Sequence, residues 1–379
     1  MEAIKVISSI SALLTVVYVL VILTFIKGWF NIKRFTPARS LRLTTKVSII
    51  VAARNEEKNV RKTIEDLLMQ TYDQALTEII IIDDHSTDDT AQIIASYEPQ
   101  GVRLIKLNEE RALNSYKKKA IQTAISGANG QLIITTDADC RMGSKWLETI
   151  VSFYETNQYK MISSPVVFFE EKSFFERAQT LEFLYLIGLG ASTIGNNKAS
   201  TCNGANLAYE RDAFYSVGGF QGIDDLASGD DELLLHKMAA KYKNAIGFLK
   251  SKDAIVYTHA KPTLSEFIQQ RKRWASKSTR YKNKSIIILG VCIWVFNLTI
   301  IINFVAGFID ALYLKIFIWQ LVVKIIAEYC FLAGVTKFAG RRELLKLLPV
   351  LNIMHVLYIV YIGVAGNSGK YNWKGRMVK

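Results

Sequence analysis

Residues 6–26 and 285–309 carry no charge at all. Each is long enough to cross a bilayer as a helix, which takes about 20 apolar residues. Residues 311–335 form a third apolar run and 349–365 a weaker fourth. Between roughly 40 and 280 the apolar positions come instead in short bursts. Residues 46–53 (KVSIIVAA), 78–84 (EIIIIDD), 102–107 and 131–136 (QLIITT) are near-continuous β-branched runs, the pattern of strands buried on both faces. Helical spacing lies between them. It runs through Val60, Ile64, Leu67 and Leu68 in residues 56–70, and recurs at 116–128, ended by Gly130, and at 146–154. Thr87-Asp88-Asp89 opens a further helix, with acids at its positive end. Strands alternating with helices predict an α/β domain with a mostly parallel sheet and helices on both faces.

Residues 160–280 are less regular. Residues 161–169 read as one strand. Residues 175–189 read as an apolar, aromatic helix suited to a membrane surface or an acceptor groove. Residues 231–241 form a helix behind an acidic turn, and 264–278 a basic, aromatic helix leading into the second uncharged run. The expected organisation is an anchor at 1–28, a globular domain at 45–282, a membrane region of two to three spans at 283–366 and a basic tail at 367–379. No internal repeat or low-complexity tract is present.

Charge changes the picture through its placement. The formal net charge is +13, but the basic residues gather beside the spans. Lys27, Lys33, Arg34, Arg39, Arg42 and Lys46 follow the first run; Arg271 to Lys284 precede the second; Arg341, Arg342 and Lys346 precede the last. This is the pattern of cytoplasmic flanks facing anionic headgroups, not of a nucleic-acid surface. It places the globular part in the cytoplasm, on a multi-pass protein of the inner membrane. The basic tail conflicts with export across a last span, so 345–365 reads equally as a span or as an interfacial or re-entrant segment. Lys27-Gly28-Trp29-Phe30 offers no small-residue cleavage site, so the first run reads as a retained anchor. The four cysteines show no paired spacing, neither a zinc pattern nor a disulfide framework. Lys324 and Glu328, four apart in an apolar run, read as an ion pair facing other helices.

In parallel sheets ligands bind beyond the carboxyl ends of the strands, and polar residues collect there: Ala53-Arg54-Asn55-Glu56, Asp83-Asp84 and Asp137-Ala138-Asp139. Two carboxylates one residue apart on a turn suit a hard divalent cation, Mg²⁺ or Mn²⁺, which also binds phosphate oxygens and neutralises a leaving diphosphate. Asp is equally common in turns without a metal. Asp83 and Asp84 suit a base imide or ribose hydroxyls, while Ser86, Thr87 and Asp88 suffice for helix capping. Asp230, Asp231 and Glu232 offer a base for an acceptor hydroxyl, or simply an acidic first helical turn. Gln270-Arg271-Lys272-Arg273-Trp274 supplies an aromatic for a sugar and Arg for a diphosphate, or an ordinary basic membrane flank. Asn203 and Asn206 suit a sugar pocket or a turn at Gly204. His259 reads as a loop residue or a further metal ligand.

Taken in order, VSIIVAARNEE (47–57), IIIDDHSTDD (80–89), TTDADC (135–140), NGAN (203–206), GDDE (229–232) and QRKRW (270–274) resemble the processive-type family 2 glycosyltransferases. That group holds the cellulose, chitin and hyaluronan synthases and the ceramide glucosyltransferases. The resemblance spans about residues 45–280, and the last residues, YNWKGR, are similar to a tail of bacterial members. It implies a GT-A nucleotide-binding fold and inverting transfer from a nucleotide sugar, most commonly a UDP-sugar. Ala53, Asn55, Glu56, Asp83, Asp84, Lys117, Asp137, Ala138, Asn203 and Asn206 would line the donor. Asp139, with Asp137 and secondarily His259, would hold the metal. Asp231 would be the base, and Asp230, Gln270, Arg273 and Trp274 would lie near diphosphate and acceptor. Two departures stand out: Asp230 occupies a position that is Glu in the family, and Tyr116 replaces the usual glycine before Lys117. The small membrane part favours transfer of one or a few sugars to a lipid or lipid-linked acceptor over a small polysaccharide synthase. A nucleotide sensor with a degenerate site is the reading from another class, and the intact acids argue against it.

Overall fold

The computed structural model describes residues 2–38, 42–108, 115–366, 371–373 and 376–378. In chain order its elements are α1 (Glu2–Asn31), β1 (Val47–Ala53), α2 (Val60–Leu68), β2 (Thr77–Asp83), α3 (Thr90–Ala95), β3 (Val102–Lys106), α4 (Tyr116–Ser126), β4 (Leu132–Asp137), β5 (Arg141–Met142), α5 (Trp146–Asn157), β6 (Met161–Ser163), β7 (Val166–Phe168), α6 (Phe174–Gly195), β8 (Leu207–Glu210), α7 (Arg211–Ser216), α8 (Glu232–Lys241), β9 (Ile246–Phe248), β10 (Val256–Thr258), α9 (Leu264–Ser276), α10 (Lys284–Ala306), α11 (Ala311–Ala339), α12 (Leu348–Ala365), β11 (Tyr371–Trp373) and β12 (Arg376–Val378). They fall into two compact units. One holds residues 32–171, 193–260 and the β11–β12 ribbon; the other holds 1–31, 172–192 and 261–369. By compactness the division therefore falls at 260, with an excursion at 172–192, and not at the expected 282. Of the expected basic tail, Lys370, Lys374 and Lys379 lie outside the described residues, as does Arg39 of the first basic flank.

The first unit is built on a seven-stranded sheet of order β3-β2-β1-β4-β8-β6-β9. β3, β2, β1 and β4 run parallel, and β8 lies antiparallel between β4 and β6. Val47, Ile49, Ile50 and Val51 of β1 and Ile79 to Ile82 of β2 are all buried. Each such side chain contributes roughly 1.5–3 kcal/mol, so a continuous apolar run is stable only where both faces are covered. Register places Ala53 opposite Asp83, and Ala52 opposite Asp137. The three carboxyl ends are thus level.

Residues 161–169 differ from the single strand that their composition suggests. Pro165 has no N–H to give to a ladder, and the run breaks there. β6 joins the large sheet, while β7 pairs with β10 in a small sheet with β5.

The second unit gathers the long helices. Four of its segments, 7–31, 284–306, 311–339 and 342–365, are long and apolar enough to cross a membrane. The last includes the weak fourth run, which forms α12. α1 lies along α11 through Phe25 on Phe331 and Trp29 on Phe338, and Tyr18 stacks on Phe296 of α10 at 4.2 Å. The Lys324–Glu328 pair forms as expected, at 2.7 Å, and is almost fully buried. Asn352 of α12 donates to Glu328 at 2.9 Å, and its oxygen accepts from Lys324. Removing one partner of such a pair costs about 3–5 kcal/mol, because the other charge is stranded.

Gly130 does not end α4, whose cap is Gly127. It lets the chain entering β4 approach β1. Its N–H donates to Ser48 Oγ at 2.7 Å, and Glu78 accepts from Ser48 and from the backbone N–H groups of Asn129 and Gly130. A Cβ at Gly130 would stand 2.3 Å from Ser48 N. Gly130→Ala is therefore expected to lower stability by about 2 kcal/mol or more, seen as a lower thermal midpoint of the detergent-solubilised protein. An unchanged midpoint would mean that the β1 backbone yields.

Candidate active site

The edge of the sheet formed by the carboxyl ends of β2, β1 and β4 is where the expected donor residues meet. The turn after β1 is tied to the turn after β2. Arg54 Nη1 donates to the carbonyls of Asp84 and His85 at 2.7 and 2.8 Å. Asn55 N–H donates to Ser86 Oγ, and Asn55 Oδ1 accepts from Thr87 N–H. Asn55 and His85 both have left-handed backbones, with φ of 50° and 54°, a conformation that Asn and His tolerate better than most residues. Asp83 and Asp84 are buried. Asp83 accepts from Ser86 N–H, and Asp84 Oδ1 lies 3.0 Å from His85 Nδ1. Glu56 accepts from Asn59 Nδ2 and gives its own N–H to Thr90. Two strand spacings of about 4.8 Å place the β2 acids roughly 10 Å from those that end β4.

At the end of β4 the turn 137–140 is held from α2. Thr63 Oγ1 lies 2.8 Å from the Ala138 carbonyl and 2.9 Å from that of Cys140. Asp66 clamps Arg141 through two hydrogen bonds, 2.6 and 2.8 Å, and also accepts from Met142 N–H. Asp137, Asp139 and Cys140 bring their ligand atoms within 4.8 Å of one another. Burial, with Asp139 and Asp137 beside it, pushes the Cys140 thiol well above its usual range. The two carboxylates of this cluster are oxygen donors, the kind that a hard divalent cation prefers. Thr258 Oγ1 reaches Asp139 Oδ2 at 3.5 Å. His259, the next residue, is exposed, stacks on Phe169 at 4.5 Å and is not among these three ligating groups.

Lys117 links the second and third acidic clusters. Its Nζ lies 2.8 Å from Asp137 Oδ1 and 3.2 Å from Asp230 Oδ2. Burial alone would push this ammonium down. Asp137 and Asp230, with Asp231 behind them, hold it above the usual lysine range. Asp231 is the N-cap of α8: one carboxylate oxygen accepts from Glu232 N–H at 2.6 Å, the other from Gly204 N–H at 3.1 Å. The approach is close: a Cβ at Gly204 would stand 3.3 Å from side-chain atoms of Asp230 and Asp231. Asn203 Oδ1 caps its own turn through Ala205 N–H. Asn206, expected to face the donor, is fully buried. Its amide donates to the Pro165 and Ala254 carbonyls, and its oxygen accepts from the Trp146 indole. Asn206 thus braces the floor and presents no polar atom to the cleft.

Lys118 and Asp66 carry no motif and are not found by sequence reasoning. Lys118 is buried and donates to the carbonyls of Ile223, Leu226 and Ser228, so it holds the segment that leads to Asp231. Burial pushes it down to about 8, against the pull of Asp230 and Asp231. The sequence signal for both is weak: a polar side chain at a position where the helical period calls for an apolar one. Gln270, Arg273 and Trp274 belong to α9, in the unit of long helices. There Arg271, between them, is the buried member, paired with Glu182 and lying over the Phe267 and Trp274 rings at 4.5 and 4.2 Å.

Residues 48–218 match the model of Glycosyl transferase family 2. Glycosyltransferase AglE of Haloferax volcanii is 26% identical over 185 residues, covering 49% of this chain and 58% of that protein. Beta-monoglucosyldiacylglycerol synthase of a Nostoc species is 24% identical over 230 residues, covering 60% and 48%. The chain spans about half the length of the curated relatives it matches. Mannosyltransferase PcManGT from Pyrobaculum calidifontis, solved in complex with GDP-Man and Mn²⁺, superposes with a TM-score of 0.54 at 17% identity, over 93% of this chain and 97% of that one. That likeness establishes the fold as GT-A.

Asp66→Ala leaves the Arg141 guanidinium and Met142 N–H without their acceptor. Arg141 is partly exposed, so water recovers some of the loss. The expected destabilisation is about 1–3 kcal/mol, measured as a lower thermal midpoint. A midpoint unchanged from wild type would show that the clamp does not hold the turn.

Proposed function

We propose that this protein is a metal-dependent, inverting glycosyltransferase. It moves one or a few sugars from a nucleotide-sugar donor, most simply a UDP-sugar, to a lipid or lipid-linked acceptor at the cytoplasmic face of the inner membrane. The observation that carries this reading is the gathering of three acidic clusters from separate stretches of chain at one sheet edge, with Lys117 joining the second to the third. The lipid acceptor is supported by the candidate membrane helices and by the name of the diacylglycerol-directed relative. The basic flanks support the cytoplasmic placement of the catalytic unit.

In this reading Asp83, Asp84, Asn55 and Glu56 receive the nucleoside, at the carboxyl ends of β1 and β2 where such sheets bind ligands. Asp137 and Asp139 hold Mg²⁺ or Mn²⁺, which when bound neutralises charge on the departing nucleoside diphosphate. Lys117 is the protein's own cation at the same place. Asp231 takes the proton from the acceptor hydroxyl as its oxygen attacks the anomeric carbon from the face opposite the leaving group. Its two backbone hydrogen bonds fix the carboxylate. Gln270, Arg273 and Trp274 are assigned to the diphosphate and acceptor by motif.

Asp231→Asn removes the base and keeps one of the two backbone contacts, because its amide nitrogen cannot accept from an N–H. Sugar transfer should fall by about 10²–10⁴-fold, while nucleotide binding, measured by calorimetry, stays near wild type. Unchanged turnover would remove Asp231 from its role. A screen of nucleotide sugars against membrane lipid extract should give a product that a chelator abolishes and Mg²⁺ or Mn²⁺ restores. A ladder of long glycans would point to a polysaccharide synthase instead.

A further inference from the structure

Residues 217–231, between α7 and α8, form neither helix nor strand, yet they lead directly to Asp231. A segment of this kind is only as fixed as the side chains that tie it down. Its first half hangs on α8, where Lys237 donates to the carbonyls of Gly219 and Gln221 at 2.6 and 2.8 Å. That tie joins the segment to the helix that follows it, and the two can shift as one body. Lys118 supplies a tie of another kind, because it comes from α4, which packs on β1 and β2. An ammonium has three N–H donors, and three carbonyls meet them here: those of Ile223 and Ser228 at 2.7 Å each, and that of Leu226. Lys118, Leu226 and Ser228 are buried. Water is therefore poorly placed to replace a lost donor, and a buried carbonyl left without one is costly.

We propose that Lys118 is a positioning residue for the transfer step: it touches no substrate and sets the rate through Asp231. The inference rests on the proposed function, in which Asp231 is the base. The link between the two is short, since Ser228 stands three residues before Asp231. Asp231 has a second anchor in the Gly204 N–H, at 3.1 Å. That bond fixes one carboxylate oxygen, whereas the hold on Ser228 fixes the backbone that brings the carboxylate to the cleft. A base works only within hydrogen-bond reach of its proton, and a misplacement of roughly 1 Å costs about 10²-fold in rate. Lys117 and Lys118 divide the work. The Lys117 ammonium lies against the carboxylates of Asp137 and Asp230, where a bound metal or diphosphate competes for it. The Lys118 ammonium is enclosed by neutral carbonyls, which no ligand of the cleft claims. Its hold therefore persists whether the cleft is empty or filled. All three donors are used, so an apolar side chain of the same length cannot keep the segment in place, and one with two donors keeps it in part.

The test uses the full chain in phosphatidylcholine nanodiscs, assayed with membrane lipid extract and the nucleotide sugar found active in the screen. Hydrogen exchange of the same samples is followed by mass spectrometry. Lys118→Met keeps the length of the side chain and removes its donors. Amides of residues 222–232 should then exchange about tenfold faster or more, while those of β1 and β2 keep the wild-type rate. The kcat should fall by about 10–100-fold, with the KM for the donor within about twofold of wild type. A lesion that merely lowers the folded fraction multiplies with any other loss, whereas one that acts through Asp231 does not. Adding Lys118→Met to Asp231→Asn should therefore cost no further turnover. Wild-type exchange at 222–232, a wild-type kcat, or full multiplication of the two losses in the double variant overturns the inference. Should Lys118→Met not fold, Lys118→Gln, which keeps two donors, decides by the same measurements. Full turnover in Asp231→Asn alone sinks the assignment of the base. Faster exchange in Lys118→Met without loss of turnover sinks this inference and leaves that assignment standing.

Discussion

Like charges crowded at one sheet edge repel, and this fold is arranged around containing that repulsion. Asp83 and Asp84 end one strand, Asp137 and Asp139 follow another, and Asp230 and Asp231 come in from a distant turn. The chain answers with Lys117 between Asp137 and Asp230, with backbone N–H groups on Asp83 and Asp231, and with a neighbouring lysine that fastens the last turn. Gathered charge of this kind is a standing attraction for cations and for the metal-bound form of a polyanion. The rest of the unit, from the level strand ends to the glycine beside Asp231, follows from holding the acids close without letting them collapse onto one another.

The strands that end in acids were legible because they are buried on both faces, and a run such as EIIIIDD has no other stable home in a small domain. The acids were legible because they interrupt such runs. β8, β9 and β10 were not legible. They have three or four residues each, too few for a period to show, and their pairing is decided by partners far away in sequence. The break at Pro165 was written in the chain but outweighed by the apolar residues around it. α2 begins at Val60, not at the expected residue 56, because Asn55 turns left-handed and Glu56 is drawn to Thr90.

The site shows the same division. Residues in motifs could be named from the sequence. Residues acting through tertiary contact were not, since nothing local to Asp66 indicates that Arg141 will lie against it. Asn206 shows the limit from the other side: its motif position was visible, but its orientation depends on Trp146, Pro165 and Ala254, none of them a sequence neighbour. The helical unit was read from composition alone. Its four apolar segments and the Lys324–Glu328 pair were expected, whereas Asn352 and Tyr18, which complete that network, look unremarkable in isolation.

Lys117 and Lys118 are consecutive residues in the first turn of one helix, and they hold different things. The first grips Asp137 and Asp230, the second the carbonyls of the segment ahead of Asp231. Neither grip can travel without dragging the other, because adjacent side chains on a helical turn share one rigid backbone. The two sides of the cleft are thus geared together: whatever swings the start of α4 moves Asp137 and the segment ahead of Asp231 in a single stroke.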